Sequence, residues 1–427
     1  MEQYYLAIDI GASSGRHILG HLEDGKMVLE EIYRFPNGMT EENGQRCWNV
    51  KALFRAILEG MKKCKKAGKI PVSMGIDTWA VDFVLLDKEN KMLGDAVGYR
   101  DGRTAGMDEK VYEIIPEEKL YERTGIQKQI FNTIYQLMAV KSNNPEILEH
   151  AETMLMIPEY FNYLLTGEKA SEYTNATTTQ LVSPETKDWD YELIEMLGYP
   201  KQIFQKIKKP GTVLGNLTKE IQKEVGFDCE VVLPATHDTG SAVMAVPTNE
   251  DNTIYISSGT WSLLGVELDA PDRSDSSRRN NFTNEGGFGG KTCYLTNIMG
   301  LWMIQSLRKE LLEQGIELSF AELCTLAERE SIPSIIPCNH DRFLSPDSMI
   351  GEIQRACAES EQMVPQTPAQ LAAVVYHSLA VCYGEAVSQL RESRGKQYNA
   401  LSIIGGGSNA AYLNRLTAEA TGCTVYV

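Results

Sequence analysis

One cadence occurs twice in this chain: an apolar strand, a turn of small residues and a returning strand. It runs first as Tyr4-Tyr5-Leu6-Ala7-Ile8-Asp9-Ile10-Gly11-Ala12-Ser13-Ser14-Gly15-Arg16 and again as Thr253-Ile254-Tyr255-Ile256-Ser257-Ser258-Gly259-Thr260-Trp261. A bend of this kind offers free backbone N–H groups, and two opposed bends can grip a polyphosphate between two domains. The repeat therefore predicts a duplicated α/β unit that holds a polyphosphate such as ATP.

At 427 residues the chain is too long for one core and suits two domains. We expect an N-terminal domain over 1–246 and a C-terminal domain over 247–427. Lys and Arg number 41 against 58 Asp and Glu, a net charge of −17. No basic run tracks a phosphodiester backbone, so nucleic acid is excluded as a partner.

The N-terminus enters a strand straight after Met1-Glu2-Gln3, without the basic and apolar regions of a signal peptide, which predicts a cytoplasmic location. The longest apolar stretch, Leu371 to Cys382, is interrupted by Tyr376, His377 and Ser378. It falls short of the roughly 20 residues that span a bilayer, so it reads as a core helix and no membrane partner is expected. The cysteines, at 47, 64, 229, 293, 324, 338, 357, 382 and 423, are scattered and contain no Cys-x-x-Cys pair, as reduced thiols would. Cys338, His340 and Asp341 lack a second pair at ligand spacing, so a structural zinc is not expected. A monomer or homodimer is the expected assembly.

Topology separates the first turn from the two commonest phosphate loops. In dinucleotide-binding and P-loop units the glycine turn opens a helix. Here His17 to Leu22, a turn at Glu23-Asp24-Gly25-Lys26, and Met27 to Leu29 continue a meander. Leu53, Phe54, Ile57, Leu58, Met61 and Cys64 then recur at helical spacing over Lys51 to Lys66, and strand Val72 to Ile76 follows. From about 95 to 230 the pattern is helical, including Glu117 to Arg123, Asn132 to Ser142 and Pro158 to Leu165, which reads as an inserted helical cap. Strand Val231 to Leu233 resumes the sheet, with a helix beginning near Gly240. The second half restarts at Asn252 and ends with strand Leu401 to Ile404, the turn Gly405-Gly406-Gly407-Ser408-Asn409 and a helix from Ala410 to Ala420. The chain stops at Val427 inside what reads as a strand, Thr424-Val425-Tyr426-Val427.

Four places carry chemistry. Asp9, at a strand end before Gly11, is placed to hold Mg²⁺ through water beside phosphates; the bland alternative is a turn-forming Asp. Thr260 can donate its hydroxyl to a phosphate oxygen, with Ser257 and Ser258 keeping the strand end small; the bland alternative is an ordinary hairpin. Asp238, between His237 and Thr239, suits a general base that takes a proton from an acceptor hydroxyl during phosphoryl transfer. The alternative there is a helix cap. The 405–409 turn would let a flat ring approach the backbone without Cβ collisions, as an adenosine pocket does, or is simply a flexible loop.

These residues resemble the FGGY family of carbohydrate kinases over nearly the whole chain. Asp9 to Arg16 is similar to that family's first phosphate segment, Ile256 to Leu263 to its second, and Ile404 to Asn409 to its adenosine segment. Longer matches, Gly75 to Phe83, Tyr99 to Thr104, Glu172 to Gln180 and Asn281 to Gly287, resemble its rhamnulokinase branch. The resemblance implies two actin-like ATPase domains of ribonuclease-H-like fold, with the helical insertion in the first. It implies ATP-dependent phosphorylation of the small-molecule sugar L-rhamnulose at its 1-hydroxyl, with ATP and Mg²⁺ taking part. Asp238 would be the general base, and Ala80, His237, Asp238, Thr239 and Asn297 would contact sugar. Ala12, Ser13, Ser14, Gly15, Arg16, Thr260, Gln305 and Gly406 would bind ATP. Ala80 departs from the glycine frequent in relatives, adding a methyl group to the sugar pocket, and relatives continue past position 427 with a further strand turn and helix. Two other readings stand beside this one: a kinase for another ketose such as L-fuculose or L-xylulose, and a nucleotide-switched binding protein of the same fold.

Overall fold

The computed structural model describes residues 3–246 and 252–427. The expected domain junction at 246/247 borders 247–251, which lie outside the described residues. The chain divides into two units, one of Met1–Ser241, Leu268–Arg278 and Asn284–Cys293, the other of Ala242–Glu267, Arg279–Thr283 and Tyr294–Val427.

The first unit is built on β1 (Tyr4–Ile10), β2 (Ser14–Glu23), β3 (Lys26–Pro36), β4 (Pro71–Thr78), β5 (Val213–Asn216) and β6 (Glu230–Val232), in the order β5-β6-β4-β1-β2-β3. β1 runs antiparallel to β2 and parallel to β4. Leu6, Ile8 and Ile10 alternate along β1 into the core, which fixes its register because a one-residue slip would turn all three to the other face. Helix α1 (Val50–Lys66) crosses from β3 to β4; it buries Leu53, Ile57, Leu58, Met61 and Cys64 on one stripe, and Asn49 caps it by accepting from the Ala52 N–H at 2.9 Å.

The insertion is less purely helical than its periodicity predicts. Its helices α2 (Thr133–Asn143), α3 (Ile157–Thr166) and α4 (Tyr173–Thr178) are accompanied by short ladders such as Phe83–Leu86 against Thr153–Met156. The main sheet also resumes earlier than Val231, since Val213–Asn216 is its edge strand. That strand escapes a pattern search because a bulge at Gly215, whose φ is 143°, breaks its alternation. Helix α5 (Asp238–Met244) starts at Asp238 rather than near Gly240.

The second sheet repeats the plan, with residues 284–286 of its edge strand belonging to the first unit. β7 (Thr253–Ser258), β8 (Trp261–Leu268), β9 (Thr283–Gly286) and β10 (Thr292–Met299) precede helices α6 (Trp302–Glu313) and α7 (Pro368–Arg394), then β11 (Ala400–Ile404), α8 (Ala411–Thr421) and β12 (Thr424–Tyr426). The sheet order β10-β8-β7-β11-β12 matches β3-β2-β1-β4-β6 strand for strand, with β7 antiparallel to β8 and parallel to β11. The sequence repeat is thus a repeat of topology. Helix α7 extends the apolar stretch at 371–382 to 27 residues. It is the one described helix long and apolar enough to cross a membrane, yet 72% of its apolar window is buried inside the protein.

Candidate active site

The parallel register of β1 with β4 sets Asp9 opposite Asp77 at adjacent strand ends. The antiparallel register with β2 sets Asp9 opposite Arg16, whose Nε donates to Asp9 Oδ2 at 2.9 Å and whose Nη2 lies 2.8 Å from the same oxygen. Burial, the charges of Asp9 and Asp238, and a hydrogen bond with Asp9 push the Asp77 carboxyl well above the usual carboxylate range. Between Asp9 and Arg16 the chain turns through Gly11 to Ser13, closed by the Gly11 N–H donating to the Ser14 carbonyl at 2.9 Å. Asn37 steadies this turn by donating its side-chain amide to the Gly11 carbonyl at 2.8 Å. Gly15 gives room to the Phe35 ring: a Cβ there would lie 2.2 Å from its far edge.

His237, Asp238 and Thr239 stand beside the end of β4, where the Thr78 N–H donates to the Thr236 carbonyl. The Asp238 side chain is 37% exposed, and Oδ1 accepts the Thr239 N–H at 2.7 Å. Burial, opposed by the charge of His237 and reinforced by that of Asp9, raises its carboxyl to about 6. Such a group is ionised at neutral pH but still basic enough to accept a proton. Asp238 is the first residue of α5, whose preceding residue His237 accepts from the Ser241 N–H through its carbonyl, and Asp238 Oδ1 itself satisfies the first-turn N–H of Thr239. His237 Nε2 lies 3.5 Å from Asp238 Oδ1, and its Nδ1 lies 3.2 Å from Oε2 of Glu285 on β9. Burial opposes charge on His237, but Glu285, Asp238 and Glu172 outweigh it and raise the imidazole above its ordinary value.

A buried carboxyl pair holds this loop in place. Glu172 accepts from the Thr236 N–H at 2.9 Å and from Thr236 Oγ1 at 3.0 Å, while Thr236 Oγ1 also reaches Glu159 at 2.7 Å. Burial raises the Glu159 carboxyl to about 8, leaving it protonated near neutrality beside Glu172. Glu172 also caps α4 through the Thr174 and Asn175 N–H groups.

Ala80 lies in the loop after β4, next to Val81, whose φ of 65° is strained for a β-branched residue. Thr133 and Gln136 hold that backbone by donating to the Val81 carbonyl at 2.7 and 3.2 Å. Asp82 closes the loop: its Oδ2 accepts from Trp48 Nε1 at 2.6 Å, Trp79 Nε1 at 2.9 Å and the Tyr99 N–H at 3.1 Å.

On the second unit, the Thr260 turn is closed by the Gly259 N–H donating to the Trp261 carbonyl at 2.8 Å, and its outward carbonyls accept from the N–H groups of Leu301 and Trp302. The start of α6, which carries Gln305, is therefore tied to the turn that carries Thr260. Gly405 has φ 88° and would bring a Cβ to 2.8 Å from the Ser258 carbonyl oxygen. A Cβ on Gly407 would sit 2.0 Å from Ser258 Oγ, whereas Gly406 faces open space. Asn297 lies on β10.

The site residues therefore form one group on the first unit, Asp9, Ala12 to Arg16, Ala80 and His237 to Thr239, and another on the second, Asn297, Thr260, Gln305 and Gly406. Asp77, Asp82, Glu159, Glu172 and Glu285 join the first group without a role assigned from sequence, although all but Glu159 lie in segments matched there to the family. Asp77 also left a signal in the strand pattern, since Ile76-Asp77 at a strand end echoes Ile8-Asp9. Among the described residues no three His, Cys, Asp or Glu side chains converge on one point as direct metal ligands. The all-oxygen, mutually repelling set of Asp9, Asp77 and Asp238 nonetheless suits a hydrated Mg²⁺.

Residues 4–245 match the N-terminal domain model of the FGGY family of carbohydrate kinases and residues 254–427 its C-terminal domain model. The rhamnulokinase of Oceanobacillus iheyensis is 51% identical over 425 residues, covering 100% of this chain and 90% of that protein. The rhamnulokinase of Halalkalibacterium halodurans is 53% identical over 418 residues, covering 98% and 88%. Among solved structures, a ligand-bound xylulose kinase from Lactobacillus acidophilus superimposes with a TM-score of 0.79 at 18% identity, covering 99% of this chain and 85% of the other. Plasmodium falciparum glycerol kinase with ADP gives 0.75 at 14%, covering 99% and 86%.

Proposed function

This chain belongs to the FGGY family of carbohydrate kinases, and we propose that it transfers the γ-phosphoryl group of ATP to the 1-hydroxyl of L-rhamnulose, a step of L-rhamnose breakdown. What carries this reading is the half-exposed, basic carboxylate of Asp238 in a chain that shares about half its residues with two rhamnulokinases. The acceptor proton passes to Asp238, the sugar oxygen bonds to the γ-phosphorus, the bond from that phosphorus to the bridging oxygen breaks, and ADP leaves. His237, Thr239, Ala80 and Asn297 hold the sugar. Ala12 to Arg16, Thr260, Gln305 and Gly406 hold the nucleotide, for which the open space over Gly406 leaves room.

Asp9, with Asp77 beside it, would hold Mg²⁺ through water. Bound there, Mg²⁺ supplies positive charge against the phosphate oxygens. The cytoplasm, where ATP and reduced thiols coexist, is the compartment we assign, supported by nine free cysteines.

The test is ADP release with Mg-ATP across L-rhamnulose, L-fuculose, L-xylulose, L-ribulose, glycerol and no sugar. Release selective for L-rhamnulose is expected. Selectivity for another ketose would replace the substrate, and equal release without sugar would replace the kinase reading by a nucleotide-switched ATPase.

A further inference from the structure

Arg103 sets a part-buried guanidinium behind the loop that carries Ala80, and among the described residues no carboxylate forms an ion pair with it. Its Nη2 donates to Gln136 Oε1 at 2.6 Å and reaches the Val97 carbonyl only at 3.5 Å, while its Nε is buried without a hydrogen-bond partner. Burial works against the cation, and Asp82 and Asp101 favour it only at a distance. An apolar side chain of similar length would avoid that cost. The short contact to Gln136 is what the cation contributes in return. We propose that Arg103 is a positioning residue for the ketose: it fixes the orientation of the Gln136 amide, and that amide holds the Ala80 to Asp82 loop in shape against the sugar. The inference rests on the kinase reading and deepens it.

A guanidinium can only donate, so Gln136 must turn Oε1 towards Arg103 and Nε2 away from it. Nε2 then faces three acceptors: the Phe131 carbonyl at 2.9 Å, Asp82 Oδ1 at 3.0 Å and the Val81 carbonyl at 3.2 Å. With the amide reversed, its oxygen would meet three other oxygens and its NH₂ would meet the cation. Gln136 is fully buried on α2, so water cannot make good the loss.

The loop needs such a restraint. Val81 has a φ of 65°, strained for a β-branched side chain, and the Asp82 N–H donates to the Ala80 carbonyl at 2.9 Å. Ala80, Val81 and Asp82 are therefore one tight bend, and movement of the Val81 carbonyl moves Ala80 with it. Arg103 is itself firmly based. Asp101 accepts the Arg103 N–H through Oδ1 and the Arg46 N–H through Oδ2, each at 2.9 Å, and the guanidinium carbon lies 5.9 Å from the centre of the Phe83 ring. The relay from Arg103 through Gln136 to the loop thus runs between fixed points, all within the first unit.

The experiment measures KM for the accepted ketose, KM for ATP and kcat in wild type, Arg103→Met and Arg103→Lys. Arg103→Met should raise KM for the ketose about tenfold, the worth of one such hydrogen bond, and leave KM for ATP unchanged. Arg103→Lys, which can still donate to Gln136, should recover most of the loss. A role confined to stability would lower kcat per mole of protein through loss of folded enzyme and move neither KM. That pattern, or an equal rise in both KM values, would overturn the proposal. Should Arg103→Met not fold, Gln136→Glu keeps an acceptor for Arg103 but sets an oxygen where Nε2 donates; the same selective rise is expected, and an unmoved KM for the ketose would overturn the proposal. No ADP release from wild type with any sugar would remove the kinase reading and this inference with it, whereas an active wild type with variants unmoved in KM for the ketose removes the inference alone.

Discussion

Gly406 and Gly407 are neighbours whose side-chain positions demand different outcomes from the same substitution. Alanine at 407 would put its methyl 2.0 Å from Ser258 Oγ, at the end of the strand that leads to the Thr260 turn, so Gly407→Ala should lower stability by about 1–3 kcal/mol in denaturant melts. Position 406 faces open space, so Gly406→Ala should leave stability unchanged while raising KM for ATP several-fold. Equal effects of the two would remove the nucleotide from this turn. Asp82 makes a comparable test on the sugar side: Asp82→Asn puts an amide N–H where one carboxylate oxygen now accepts, with two indoles, the Tyr99 N–H and Gln136 as the donors. It should raise KM for the ketose more than KM for ATP and cost about 1–3 kcal/mol of stability. Asp9 and the glycine turns were legible in sequence because each sits where a strand ends, and Asp238 because it opens a helix, both local events. Asp77 left only a faint echo of Asp9. Glu285 lay inside the matched Asn281 to Gly287 segment but drew no role there, because its neighbour His237 is far along the chain.

The Glu159 and Glu172 pair belongs to the scale of elements, since it ties α3 and the start of α4 to the loop before α5. Glu159 ionises near its ordinary value of 4.5 in the unfolded chain but at about 8 when folded. Between those values the folded state binds the extra proton, so this contribution to stability is full below about pH 4.5 and is lost as pH rises through 8. Glu159→Gln should therefore flatten the fall in melting temperature between pH 5 and 8, with wild type and variant differing most at the alkaline end. A parallel fall in both would show that the proton resides elsewhere. Periodicity located α1, α2, α3 and α8 to within a residue or two, since each buries a helical stripe. It missed the short ladders within the insertion and the bulged strand β5, where runs of two to four residues carry too little pattern to declare themselves.

Across the molecule, the two sheets share one strand order, which the repeated strand, turn and strand cadence already announced. All nine cysteines are free, and all but the half-buried Cys382 are buried. A hydrogen bond from Cys338 also lowers the Cys382 thiol. Alkylation of native protein should modify Cys382 alone at a fast rate and all nine only after denaturation, as read by intact mass. Fast labelling of a second site would mean that the fold opens locally. The account's central claim, that this fold brings a sugar hydroxyl to Asp238, is tested most directly by Asp238→Asn, measuring ATP affinity and the rate of ADP formation with L-rhamnulose side by side. The account predicts unchanged ATP affinity and a loss of transfer on the order of a hundredfold or more; turnover near wild type would contradict it and leave Asp238 without a catalytic part.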